Sequence, residues 1–147
     1  MYKKTIKYTD FEGAEREETF YFNLTETELM KMDLQANGLA EMLRRIIAAE
    51  NTAQIAYVLE DIILRAYGEK SLDGKRFVKN DEVRDSFKST EAYSNLFMEL
   101  LQDEKAMAEF INGIVPEKVR NEYSKLSDED KAKLMKGEQP QQFTVVK

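Results

Sequence analysis

The stretch "ETFYFNLTETE", Glu18–Glu28, changes periodicity part-way, and the point of change sets the architecture. Phe20, Phe22 and Leu24 recur at every second residue, the spacing of a strand with one buried face. Thr25 then stands three residues before Glu28, the capping-box pattern that opens a helix. A strand ends and a helix begins at the Leu24–Thr25 step. The chain upstream reads as β, and the chain downstream reads mainly as helix.

Upstream, "KKTIKYT" (Lys3–Thr9) alternates Ile6 and Tyr8 with polar neighbours. "DFEGAERE" (Asp10–Glu17) supplies Asp10 and Gly13, both turn residues. Residues 1–24 therefore predict a β-hairpin. A lone hairpin is marginal in water, so it must pack on the helices that follow.

Downstream, a first helix should run from Thr25 to about Gln35, with Gly38 ending it in the left-handed conformation. Leu39, Met42, Leu43, Ile46 and Ile47 make one face of a helix reaching about Glu50. Thr52 can cap the next, in which Ile55, Val58, Leu59, Ile62, Ile63 and Ala66 keep the rhythm. Tyr57, Leu64 and Tyr67 widen its apolar stripe, which predicts a central position or a face covered by a partner. Gly68 is placed to stop it. Val83 and Phe87 define a short helix capped by Asn80 or Asp81. Tyr93, Leu96, Phe97, Leu100 and Leu101 define another, and Asp103 caps a last one bearing Met107, Phe110, Ile111 and Ile114. Pro116 bars its continuation.

The expected fold is mainly α: a multi-helix bundle with the N-terminal β-hairpin (1–24) packed on it. A small turn or mini-hairpin is expected near residues 70–78. Residues 1–116 form one globular domain, with helices across 25–116. Residues 117–147 carry seven Lys/Arg and six Asp/Glu, so the chain's net −6 arises before them. They read as a C-terminal extension, with one helix from Ser127 to Gly137 and then a flexible tail.

Composition narrows the chemistry. The 147 residues include no cysteine and no histidine. Disulfides and thiolate catalysis are excluded, and so are the commonest neutral-pH base and zinc ligand. No apolar run approaches the roughly 18 residues that would span a bilayer. The lysines of "MYKKTIKYTD" have no apolar segment behind them, so no secretory signal is read. A net charge of −6 disfavours nucleic-acid binding.

One stretch invites a nucleotide. "YGEKSLDGKRF" (Tyr67–Phe77) resembles a phosphate loop, which needs four residues between its glycines, Ser or Thr after the lysine, and a strand in front. Here five residues separate Gly68 and Gly74, Arg76 follows Lys75, and a helix precedes. Asp73-Gly74 is better read as a tight turn. The paired carboxylates Glu60-Asp61 read as a solvated helix edge, and "SDEDKAK" (Ser127–Lys133) lacks the glycine and final glutamate of a calcium loop. Lys75, Arg76 and Lys79 around Phe77 form the densest basic cluster, but it is short.

The seven methionines are more informative as a group. Each alone is ordinary core filling. With the widened stripe they suggest a surface that accepts apolar partners. Tyr57, Leu64, Tyr67, Phe77, Met98 and Met107 are the candidate partner-binding residues. No catalytic, cofactor or metal residues are assigned.

Four stretches in the same order, "YTDFEGAEREETFYFNLTETELM", "RAYGEKSLDGKRFVKN", "TEAYSNLFMELL" and "AEFINGIVP", resemble tail assembly chaperones of long-tailed (siphovirus-type) bacteriophages and prophages of Gram-positive bacteria. The resemblance covers about residues 1–116. It implies a non-catalytic protein that binds and shields the tape measure protein during tail morphogenesis. It further implies residence in the host cytoplasm and absence from the mature virion; in many such phages a frameshift appends a second domain that recruits the major tail (tube) protein, and this chain would be the short, unshifted form. Self-association fits exposed apolar surface. The alternative is another phage structural or regulatory protein, either a tail connector component or an inhibitor of a host factor. Whether virions contain the chain separates the two.

Overall fold

The computed structural model describes residues 1–34, 38–49 and 51–117. The helix expected over 127–137, the tail after it and the division at 116/117 depend on residues outside that set.

β1 (Tyr2–Thr9) and β2 (Glu15–Phe22) pair antiparallel along their whole length, from Tyr2 opposite Phe22 to Thr9 opposite Glu15. The turn between them is closed by Asp10, whose carboxylate accepts the Glu12 and Ala14 amides at 2.9 Å each. Gly13 supplies the positive φ of 85°. The register puts Tyr2, Ile6, Phe20 and Phe22 on one face, toward the core. Lys3, Thr5, Lys7, Thr9, Glu15, Glu17 and Thr19 occupy the other face, all exposed.

The capping box forms as the spacing predicts. Thr25 N–H donates to Glu28 Oε1 at 2.8 Å, and Glu28 N–H donates to Thr25 Oγ1 at 3.1 Å. It opens α1 (Glu26–Leu34), and α2 (Leu39–Ala48) follows. Gly38 is extended (φ −64°, ψ 163°) and caps the start of α2, so the expected left-handed stop is not formed there. α3 (Thr52–Ala66) is capped by Asn51, one residue before the expected Thr52, and the Asn51 side chain accepts from Gln54 N–H at 3.1 Å.

Gly68 also departs from expectation. α3 ends at Ala66 and the chain passes directly into β3 (Tyr67–Lys70). The cause is tertiary: Asn23 N–H donates to the Ala66 carbonyl at 2.8 Å, and Tyr21 and Phe22 then pair with Gly68 and Tyr67. Glycine is needed for closeness here, because a Cβ on Gly68 would lie 2.7 Å from the Phe77 ring. The expected mini-hairpin is present. β3 turns through Gly74 (φ 75°) into β4 (Phe77–Val78), with Glu69 opposite Val78.

The two hairpins thereby join into one four-stranded antiparallel sheet in the order β1-β2-β3-β4. Helices predominate, but the architecture is mixed α/β, a sheet backed by helices, and this corrects the plainer expectation of a helical bundle. α4 (Asp81–Lys88), α5 (Glu91–Gln102) and α6 (Glu104–Ile114) complete the described chain. Asn80, Thr90 and Asp103 cap them by accepting amides of the first turn.

The core lies between the sheet and the helices. Phe22, Leu24, Leu59, Ile62, Ile63, Leu96, Leu100, Phe110 and Ile114 are almost wholly removed from water. An aromatic chain runs through it: Tyr67 stacks on Phe87 at 4.1 Å, and Phe22 meets both Phe87 (5.8 Å) and Phe110 (5.3 Å). Such ring pairs add about 0.5–1.5 kcal/mol beyond their area. They fasten β2 and β3 to α4 and α6.

Candidate functional site

The joint between sheet and helices is set by Lys79. Its ammonium donates to the Asn23 carbonyl (2.6 Å), the Arg65 carbonyl (2.8 Å) and Glu28 Oε2 (2.8 Å). These three acceptors match the three donors of an ammonium. Burial pushes the Lys79 pKa down against the opposing pull of Glu28. Burial would raise Glu28, but hydrogen bonds from Lys79 and Thr25 outweigh it and hold the carboxyl below its ordinary value. The two shifts differ in balance because Lys79 is the deeper partner, with 11% of its side chain exposed against 35% for Glu28. The ion pair is the form that this oxygen-lined pocket fits. Lys79 is thus a structural clamp, and the basic cluster with Lys75 and Arg76 does not form a shared outward patch.

Two hollows flank this joint. The first, of about 410 Å³, lies along α3 and α4 and is lined by Tyr57, Glu60, Asp61, Leu64, Arg65 and Arg84. α3 places Tyr57 and Leu64 two helical turns apart on one face. Asp61 and Arg65 form an i,i+4 ion pair at 2.8 Å at its floor. Glu60 accepts from Lys88 (3.2 Å) and from the Tyr93 hydroxyl (3.4 Å), so this carboxylate, still partly exposed on the helix edge, is also tied to α4 and α5. Desolvation, reinforced by Glu60, pushes the Tyr93 phenol well above its ordinary range.

The second hollow is a groove of about 680 Å³ between β2 and the β3–β4 hairpin. Thr19, Phe20 and Tyr21 form one wall, and Tyr67, Gly68 and Leu72 lie on the other. Lys70 lies over the Tyr21 ring at 4.4 Å, a cation–π contact at the rim. Burial, with smaller contributions from Glu69 and Glu18, pushes the Tyr67 phenol up to about 12.

The six candidate residues do not converge. Tyr57 (79% exposed) and Leu64 share the first hollow. Tyr67 borders the groove but is only 6% exposed and belongs mainly to the core, so it offers little surface. Phe77 is partly buried over Gly68. Met98 on α5 is 43% exposed, whereas Met107 on α6 is partly buried against the core, and neither lines either of these two hollows. Sequence reasoning missed Thr19, Tyr21 and Leu72. Their site exists only because β3 leaves β2 after two paired residues, and no local pattern encodes that.

Among the described residues no cluster of three or more Asp or Glu is placed to hold a metal. No helix among them is long and apolar enough to cross a membrane. A family model described as phage tail assembly chaperone matches residues 1–145, further along the chain than the four resembling stretches reach. No curated protein and no solved structure matches the chain.

Proposed function

The chain belongs to the phage tail assembly chaperone family, and we propose that it binds and shields the tape measure protein while tail-tube subunits assemble around it. In this reading it acts without catalysis, in the cytoplasm of a Gram-positive host of a siphovirus-type phage, and leaves before the virion is complete. The observation that carries the reading is the family match across nearly the whole chain.

The surface supports it. Met30, Leu34, Tyr57 and Met98 are large apolar side chains left exposed on three different helices. Dispersed apolar contacts of this kind suit a long helical client held in shallow grooves, rather than a small ligand in a closed pocket. Many weakly bound copies on one rope-like client would gain avidity from multivalency.

The test is dilution of denatured tape measure protein from its own phage into buffer with and without the chain, followed by light scattering. Suppressed aggregation at stoichiometric excess is expected. Scattering unchanged by the chain contradicts the reading.

A further inference from the structure

The β2–β3 ladder stops after two pairs, Tyr21 with Gly68 and Phe22 with Tyr67, whereas β2 extends back to Glu15. The alternation of an antiparallel ladder fixes which backbone groups face the gap. Asn23 N–H donates to the Ala66 carbonyl, so the odd-numbered residues of this strand turn their amides and carbonyls toward β3. The even-numbered residues serve β1. Glu15, Glu17 and Thr19 therefore aim N–H and C=O out of the sheet edge, and no strand among the described residues pairs with them. The opposite margin is treated differently. There the Lys7 carbonyl of β1 accepts from Asn95 Nδ2 of α5 at 3.1 Å.

We propose that the open edge of β2, Glu15–Thr19, takes an extended segment of a partner protein, added as a further strand and carrying Lys or Arg at alternate positions. Exposed edges are templates for strand addition, with main-chain hydrogen bonds giving affinity and alternate side chains giving specificity. Charge selects the occupant. Glu15 and Glu17 project from the solvent face of this edge, and opposite charges directly across a strand pair stabilise it. A second copy pairing about the same edge would set Glu17 against Glu17, so the edge repels its own kind. The widening groove beside Thr19 and Tyr21 leaves room for the added backbone. The inference does not depend on which tail protein is the client.

The experiment uses the full chain and a synthetic peptide of alternating lysine and valine flanked by threonines, with a glutamate-for-lysine peptide as comparison. Amide exchange is followed by nuclear magnetic resonance at low salt. The lysine peptide should slow exchange at Glu15, Glu17 and Thr19. Glu15→Lys with Glu17→Lys should weaken its binding about tenfold, the worth of two cross-strand charge pairs. Glu17→Pro, which removes a groove-facing N–H together with the Glu17 charge, should abolish it. The proposal is overturned by equal binding of the glutamate peptide, by no protection at about millimolar lysine peptide, or by wild-type affinity in the lysine double variant. That double variant leaves the backbone intact, so it decides the matter even if the proline variant does not fold. Aggregation of the tape measure protein is not the readout, so failure here leaves the chaperone reading standing.

Discussion

Lys79 sends its ammonium among the end of β2, the start of α1 and the end of α3, where it donates to three oxygen acceptors. Lys79→Met would remove the donor to the Asn23 and Arg65 carbonyls and the counter-ion of Glu28. We expect a loss of about 2–4 kcal/mol in denaturant unfolding. Glu28 carries a pH signature. Its folded pKa is held below the ordinary 4.5, so its contribution is fully present above about that pH and is lost as pH falls through the folded value. Glu28→Gln should therefore be less stable than the wild type at neutral pH. The gap between the two should narrow on acidification below about 4.5; a constant gap from neutral to acid pH would refute the assignment. Gly68 tests packing at the same scale. Gly68→Ala puts a methyl group against the Phe77 ring and should cost about 1–3 kcal/mol, read as a lowered Tm. The role of Lys79 was not legible in the sequence, where it stands in a basic run, because its three acceptors come from positions far away in the chain.

α3 packs against α2 and α5, and its buried face is the one the spacing of Leu59, Ile62, Ile63 and Ala66 predicts. Ile62 is 1% exposed. Ile62→Asp would bury an unpaired charge and should cost more than about 4 kcal/mol, enough to leave the chain unfolded by circular dichroism. Asn51→Ala should cost about 1 kcal/mol through the lost cap; Thr52→Ala should cost much less, and the reverse order would place the cap at Thr52. Helix faces and the Thr25–Glu28 box were legible because their partners lie within one turn. Gly38 was misread as a left-handed stop and Gly68 as the stop of α3 because the signal taken for a stop was local. What ends α3 is a backbone bond from Asn23, and what makes Gly68 necessary is the ring of Phe77. The joining of the two hairpins was illegible for the same reason: the pairing of Tyr21 with Gly68 spans the whole of α1, α2 and α3.

Across the described chain, helices back a four-stranded sheet whose outer face is polar along β1 and most of β2 and carries the Tyr21 and Phe77 rings beside β3, and exposed apolar side chains are spread over α1, α3 and α5. The width of an apolar stripe singled out Tyr57 and Leu64, and the two line one hollow. It flagged Tyr67 as well, yet stacking on Phe87 at 4.1 Å commits that ring to the core. Periodicity gives how much of a helix is apolar, not which part of it a neighbouring element will cover. The family was legible from four ordered stretches and agrees with the match over residues 1–145. The client remains the central claim. It is tested most directly by co-expressing the full chain, tagged, with the tape measure and tail-tube proteins of its own phage, and by weighing the purified complex by native mass spectrometry. The account predicts a soluble complex with many copies of the chain on each tape measure protein. Recovery of the chain alone, with the tape measure protein left insoluble, would contradict it.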